Sequence, residues 1–451
     1  MHIEFPGVLQ GDFEYAVECL EICKQESAPQ YGFRFPYFTP GGAYGKQWWQ
    51  LDSSLALCGY KWVDRAFCET SLWNFIESQK DDGRICLWGA DRLPCKVAGG
   101  DSLGQIENVS SLPKLFDAAY HLLQGSTDEK LKVAAYDMLK KYLDWWFIHR
   151  QDQKTGLITA VFEETFIPYL GRAGEYASVD TNVEIYVGCH YTELLAIELG
   201  KIKDAEELEG RKNCLKQSIN QYLWNEERGA YFPYSVKEEK SLDFLMASTF
   251  FPLRMQIAGV DRQKRLIELL KSQEHFNWEV IPLTSVSMKD ASFVTTKGEY
   301  QGNASWSGNV WTLINEMVVR GLCDCGENAL AAELALKTIY AFNHNCAEFI
   351  NPFDGIGHGV LQYAWTASQY LELLVEIVFG ISYDAKNKTV TMAPRIAKEL
   401  CNERLQIRGL QIAPRLFIDI LIEDSEISYA VSEKSIQVIV CTQYSRLHFA
   451  R

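Results

Sequence analysis

Histidine and proline are sparse in this chain of 451 residues, at 8 and 13, and Lys plus Arg number 44 against 59 Asp plus Glu. The shortage of basic residues leaves a formal net charge of -15 and no basic run, so no nucleic-acid partner is expected, because phosphate binding needs clustered cations. No window approaches roughly 18 uninterrupted apolar residues, which excludes a predicted membrane span and a membrane partner. The N-terminus has no basic stretch followed by an apolar run, so no signal peptide is expected. The histidines form no HExxH and no paired Cys/His spacing, and there is no GxGxxG, Walker loop or GxSxG elbow. Neither a metal nor another cofactor is therefore expected. The 13 cysteines follow no framework spacing, and the closest pair, Cys323 and Cys325, is not a CxxC. Free thiols in a reducing cytoplasm are the expectation.

What is present is apolar material, 47% of residues with 13% aromatic, enough for a large core. Helical periodicity predicts twelve helices, near 12–26, 50–60, 64–79, 111–124, 128–150, 181–199, 203–223, 241–251, 261–273, 304–321, 326–343 and 363–379. Asp128 and Asp180 stand where N-caps would fall. Short links such as Gly125-Ser126-Thr127 alternate with long ones covering 27–49, 80–110, 151–180, 224–240, 274–303 and 345–362. Loops this long are usually functional when they are not disordered, and these are rich in Trp, Tyr, Pro and Gly. Six helical hairpins joined by six long loops predict an (α/α)6 toroid over 1–380, with every long loop at one end. Beyond 380 the alternation of Lys388 to Met392, Leu405 to Ile407, Phe417 to Ile420 and Ser435 to Cys441 predicts a small β appendage over 381–451.

The long loops place aromatic residues beside carboxylates and amides. Gln47-Trp48-Trp49-Gln50-Leu51-Asp52 opens the second helix. Trp88 and Asp91 lie in the second long loop, and Glu163 and Glu164 in the third. Asn303, Trp306 and Trp311 close the fifth, and Glu348, His358 and then Trp365 belong to the last. Sugars stack their C–H faces on aromatic rings, and glycosidic bonds are cut by two carboxyl groups. The expected carbohydrate-contacting set is Gln47, Trp48, Asp52, Trp88, Asp91, Asn303, Trp306, Trp311, His358 and Trp365, with Asp52, Trp48 and Trp306 innermost and Trp88 and Trp365 at the rim. A lone Trp is more often core than site, and adjacent glutamates are as often a solvated loop. Only their shared end of the ring raises the set above its members.

Over roughly residues 40–380 these motifs, in order, resemble glycoside hydrolase family sixty-three, which includes processing α-glucosidase I and bacterial relatives, and more distantly the trehalases. Ser78-Gln79-Lys80-Asp81-Asp82-Gly83-Arg84-Ile85 is similar to the family's "Q..DGRI" turn. Val179-Asp180-Thr181-Asn182 is similar to "VDLN", and Leu223 to Tyr231 to "LWDEEDGFY". Trp306-Ser307-Gly308-Asn309-Val310-Trp311 is similar to "WRGPVW", and Glu348 to Pro352 to "ENYNP". The resemblance implies an inverting glycosidase acting on an α-linked gluco- or manno-configured substrate, with Glu348 as general base. The family's acid is an Asp in "ESGMDNSP". Here the chain reads Phe162-Glu163-Glu164-Thr165-Phe166-Ile167-Pro168, so Glu164 is the first choice as acid and Glu163 the second. Other readings on the same ring are a sugar epimerase, with His190, His344 and His358 as candidate bases, a phosphorylase, and a non-catalytic carbohydrate-binding protein.

Overall fold

The computed structural model describes all residues except 90–108, 162, 167–174, 296–305, 425 and 442–451. The helices are α1 (Gln10–Cys23), α2 (Gln50–Tyr60), α3 (Arg65–Ser78), α4 (Leu115–Gln124), α5 (Glu129–His149), α6 (Val179–Glu198), α7 (Ile202–Ser218), α8 (Val260–Leu270), the short α9 (Gln273–Phe276), α10 (Thr312–Asp324), α11 (Asn328–Ala341) and α12 (Ala364–Glu372). The eighth expected helix is instead a 3-10 segment, Ala247–Gln256. Pro252 lies inside it, and Met255 takes a left-handed φ of 49°. Proline removes a backbone donor and clashes one turn back, so a regular α-helix cannot form there.

Six elements pack side by side into a closed inner ring: α2, α4, α6, the 3-10 segment, α10 and α12, with α12 returning against α2. The other helices lie outside, α7 against α6, α11 against α10, and α1 against α12. An inner helix is covered on both sides, and α6 buries Val179 to Cys189 without a break, charged residues included. Such a helix has no polar face to read. Each short link leaves the C-terminal end of an inner element and each long loop enters at its N-terminus. The fold is thus the expected (α/α)6 toroid, with the long loops gathered at one end.

Several expected boundaries shift by a few residues, and α4 begins at Leu115, not near 111. α10 begins at Thr312, not near 304. Asp128 caps α5, accepting from the N–H groups of Lys130 and Leu131 at 2.9 and 3.0 Å. Asp180, by contrast, is not the cap of α6, because Ser178 holds that place. Asp180 instead accepts from Phe166 N at 2.7 Å and from Thr165 Oγ1 at 2.9 Å, tying the third long loop to α6.

The chain after 380 forms strands Ile381–Asp384, Thr389–Met392, Leu405–Ala413, Leu416–Glu423, Glu426–Val431 and Gln437–Val440. Leu405, Ile407, Leu410 and Ile412 point inward and their neighbours outward, with a register shift between Ile407 and Leu410. The N-terminal strand His2–Glu4 pairs antiparallel with Leu405–Ala413, so this sheet borrows residues from the start of the chain.

Across the axis of the ring runs a buried ionic network. Lys114 Nζ meets Asp117 at 2.8 Å, with Glu184 and Glu316 at 3.7 and 3.9 Å. Arg254 contacts Asp117 at 3.4 Å. Arg320 pairs with Glu316 and Glu372, and with Glu376 at 2.9 Å, and Lys61 joins Glu376 at 2.6 Å. Each inner element, or the residue that follows it, supplies a member.

Candidate active site

Three carboxyl groups from three different elements meet at the long-loop end. Asp52 sits in the first turn of α2 and is buried. Tyr363, the N-cap of α12, donates its hydroxyl to Asp52 Oδ1 at 2.5 Å. Burial pushes the Asp52 carboxyl up to about 7, against the opposing pull of the Tyr363 hydrogen bond. Burial, and then the Asp52 charge, raise Glu163 to about 7. Glu348 is raised to about 8 by burial, with the charges of Asp52 and Glu163 adding, while a hydrogen bond from Val360 N at 3.1 Å to Oε2 favours its anion. Three like charges in one water-poor space cannot all stay ionised near neutral pH.

Glu348 is carried on a tight hairpin in which Phe349–Ile350 pairs with Gly357–His358. Gly359, with a φ of 73°, faces the Glu348 side chain, and a Cβ there would lie 2.4 Å from Glu348 Oε2. No other residue fits that contact without moving the carboxylate.

Glu164 faces differently from its neighbour. It is fully buried, and Arg150 reaches it with Nε at 2.7 Å to Oε2 and Nη2 at 2.8 Å to Oε1. The N–H groups of Ser110 and Val161 add bonds at 2.9 and 3.2 Å. Both Glu164 oxygens are thus taken up by a two-pronged guanidinium and two amides. Glu164, the first choice as acid, is turned to Arg150, and Glu163, the second choice, is the group whose charge reaches Asp52 and Glu348.

The aromatic expectations divide. Trp48 is fully buried between Phe33 and Phe75, with ring centroids 5.3 and 5.0 Å away. It belongs to the core, which corrects its placement beside the substrate. Trp306 lies flat on Trp311 at 3.6 Å and is covered on its other face by Phe166 at 4.7 Å. Trp365 leans on this stack at 5.6 Å from Trp311. With both faces of Trp306 occupied and Trp311 and Trp365 buried, the stack is a wall, not a platform for a sugar ring. Trp88 packs on Trp49 at 5.4 Å, and Gln47 accepts from Trp49 Nε1 at 3.1 Å. Half-buried His358 lies over Phe349 at 6.2 Å. Asp91 and Asn303 lie outside the described residues.

Of the epimerase candidates, His344 is exposed and faces Asp12 at 3.5 Å, and His190 lies near Glu193 at 4.0 Å on α6. Only His358 shares the hairpin of Glu348. Sequence reasoning missed Tyr363 and Arg150. Tyr363 immediately precedes α12, much as Trp49 precedes α2, and that repeated aromatic before an inner helix was the available signal. Among the described residues no group of three side chains could hold a metal ion, and no helix is long and apolar enough to cross a membrane.

Residues 167–366 match the family model of the mannosylglycerate hydrolase MGH1-like glycoside hydrolase domain. An uncharacterized protein of Borreliella burgdorferi is 27% identical over 293 residues, 60% of each chain. The mannosylglycerate hydrolase of Rubrobacter radiotolerans is 26% identical over 185 residues, 40% of each chain. The chain thus spans less than two thirds of the length of these curated relatives. In fold, the chain is similar to the family sixty-three mannosylglycerate hydrolase of Thermus thermophilus solved with glucose, at a TM-score of 0.66 and 19% identity over 80% of this chain and 99% of that one. The likeness to glycoside hydrolase family sixty-three read from the motifs is met by these matches, on a six-hairpin glycosidase fold.

Proposed function

We propose that this family sixty-three-like chain is an inverting glycosidase that cleaves a small α-linked gluco- or manno-configured glycoside, with Glu163 as general acid and Glu348 as general base. The observation that carries the reading is the trio of buried Asp52 and half-buried Glu163 and Glu348. They come from three elements at the loop end and are raised in proton affinity by desolvation, Glu163 further by the Asp52 charge and Glu348 further by the charges of Asp52 and Glu163. Glu163 delivers its proton to the leaving oxygen as the glycosidic bond breaks. Glu348 takes a proton from the water that attacks the anomeric carbon on the opposite face. The Val360 amide on Oε2 favours the anion and leaves Oε1 for that water. Asp52, fixed by Tyr363, binds sugar hydroxyls. Inversion requires the two carboxyls about 6.5–9.5 Å apart so that the water fits between them.

Mannosylglycerate, named in the relatives, heads the substrates to test. A panel of mannosylglycerate, small disaccharides and aryl α- and β-glycosides, with the first-formed anomer read by NMR, decides the matter. The expected product is the β-anomer from an α-glycoside. A retained anomer overturns inversion. Sugar binding by calorimetry with no hydrolysis of any member favours the non-catalytic reading, which the missing motif Asp also supports. We further propose a ring over 1–380 with an appendage over 381–451 that takes up strand His2–Glu4. We also place the protein in a reducing compartment, a reading supported by the free thiols of all twelve described cysteines.

A further inference from the structure

Glu163 has a φ of 71°, in the left-handed region. That backbone is strained for a non-glycine residue and persists only when its surroundings enforce it. The enforcement comes through the next residue. The Glu164 N–H donates to Val161 O at 3.0 Å, and its carbonyl accepts from Thr181 Oγ1 on α6 at 2.7 Å. The Glu163 carbonyl accepts from Leu112 N at 3.0 Å. The Glu164 carboxylate is forked by Arg150 and capped by Ser110 N. Ser110 is itself anchored by its hydroxyl, at 2.6 Å from both Ile85 O and Tyr142 Oη. Arg150 ends α5, with its guanidinium 4.8 Å above the Trp145 ring. Helices α5 and α6 and the 110–112 segment thus converge on one peptide unit.

A buried ion pair is a poor way to add stability, since well-packed apolar residues usually serve as well or better. What a bidentate fork adds is direction. The pair sits one residue from a strained acidic side chain that faces two other carboxyls. We infer that Arg150 is a positioning residue, which by gripping Glu164 holds Glu163 in its left-handed turn with the carboxyl directed at Asp52 and Glu348. The inference rests on the proposed reading of Glu163 as acid, and predicts that the grip is needed for proton delivery and not for sugar binding.

The test compares Arg150→Met, Arg150→Lys and Glu163→Gln with the unaltered protein, by kinetics on aryl glycosides of poor and good leaving ability and by crystal structures of the variants. A displacement of about 1 Å at a reacting group can cost about 100-fold. Arg150→Met is expected to lose about that factor in kcat on the poor leaving group, with KM nearly unchanged and a much smaller loss on the good one. Its residue 163 is expected to relax to negative φ. Arg150→Lys keeps the charge but not the fork, so it should recover part of the rate. It also carries the test if the Met variant fails to fold. Retention of the left-handed turn in the Met variant, or in the Lys variant alongside a full rate, overturns the inference, as does an unchanged kcat alongside an inactive Glu163→Gln. Normal turnover of the poor leaving group by Glu163→Gln removes the acid assignment instead, and the crystal comparison then still decides whether Arg150 holds the turn.

Discussion

Glu163 and Glu164 are neighbours in sequence and opposites in chemistry. One is raised to about 7 among other carboxyls and the other is bound by Arg150 and two amides. Glu163→Gln should therefore lower hydrolysis of a poor leaving group by about 10²–10⁴-fold, with much of the rate recovered on a dinitrophenyl glycoside that needs no proton. Glu164→Gln should first lower the melting temperature. Glu348→Gln should abolish most turnover while calorimetry still detects sugar binding, and near-normal hydrolysis would exclude Glu348 as base. Because Glu163 is raised to about 7 and Glu348 to about 8, the working form, with Glu163 protonated and Glu348 ionised, is the minor one of the two singly protonated forms, and the rate should follow a bell with its maximum between those values, reporting the pair and not either residue alone. A flat profile from pH 5 to 9 would contradict the pairing. Glu348 was legible in the sequence because its hairpin keeps the spacing to Pro352. The choice between Glu163 and Glu164 was not, because a turn with φ of 71° sends adjacent side chains to different surroundings, and the partner that decides, Arg150, stands 14 positions away.

At the level of elements, the helices were readable where outer faces alternate and where short links punctuate them. They were least readable where the backbone is irregular. α6, expected over 181–199, was placed to within two residues although it shows almost no amphipathic pattern, whereas the 3-10 segment is built around a proline and a kink that periodicity does not register. Trp48 and the Trp306–Trp311 stack were misplaced or idle as sugar platforms for a related reason. Composition marks a loop as aromatic, but only packing decides which faces are spent. The ionic network that links the inner elements also makes a prediction. Glu184 is fully buried, neither of its oxygens has a hydrogen-bond partner among the described residues, and burial raises it from 4.5 to about 7. The folded state therefore holds this proton more tightly than the unfolded chain. The contribution of Glu184 to stability falls as pH climbs from the ordinary carboxylate range to about 7 and stays level above it. Glu184→Gln should raise the melting temperature by about 2 °C or more at pH 8 and by much less at pH 5. Equal shifts at both pH values would show that the charge on Glu184 is not what matters.

For the whole molecule, the ring and the sheet are joined at the start of the chain. Strand His2–Glu4 pairs with Leu405–Ala413, and Ile3, Phe5 and Val8 are buried. Each such side chain contributes about 1.5–3 kcal/mol on burial. Deleting residues 1–8 should lower the melting temperature by several degrees while leaving anomer selectivity intact, and an unchanged melting curve would mean the pairing is not part of the stable fold. The sequence indicated the sheet through its alternation, but a three-residue strand with a partner some four hundred positions away leaves no local signature. One further consequence follows from the lysines, arginines and carboxylates that knit the inner elements together across the axis. They make the toroid a well and not a tunnel. A polymer cannot thread through it. Whatever enters along the axis stops at that floor, and whatever is released leaves past the same rim.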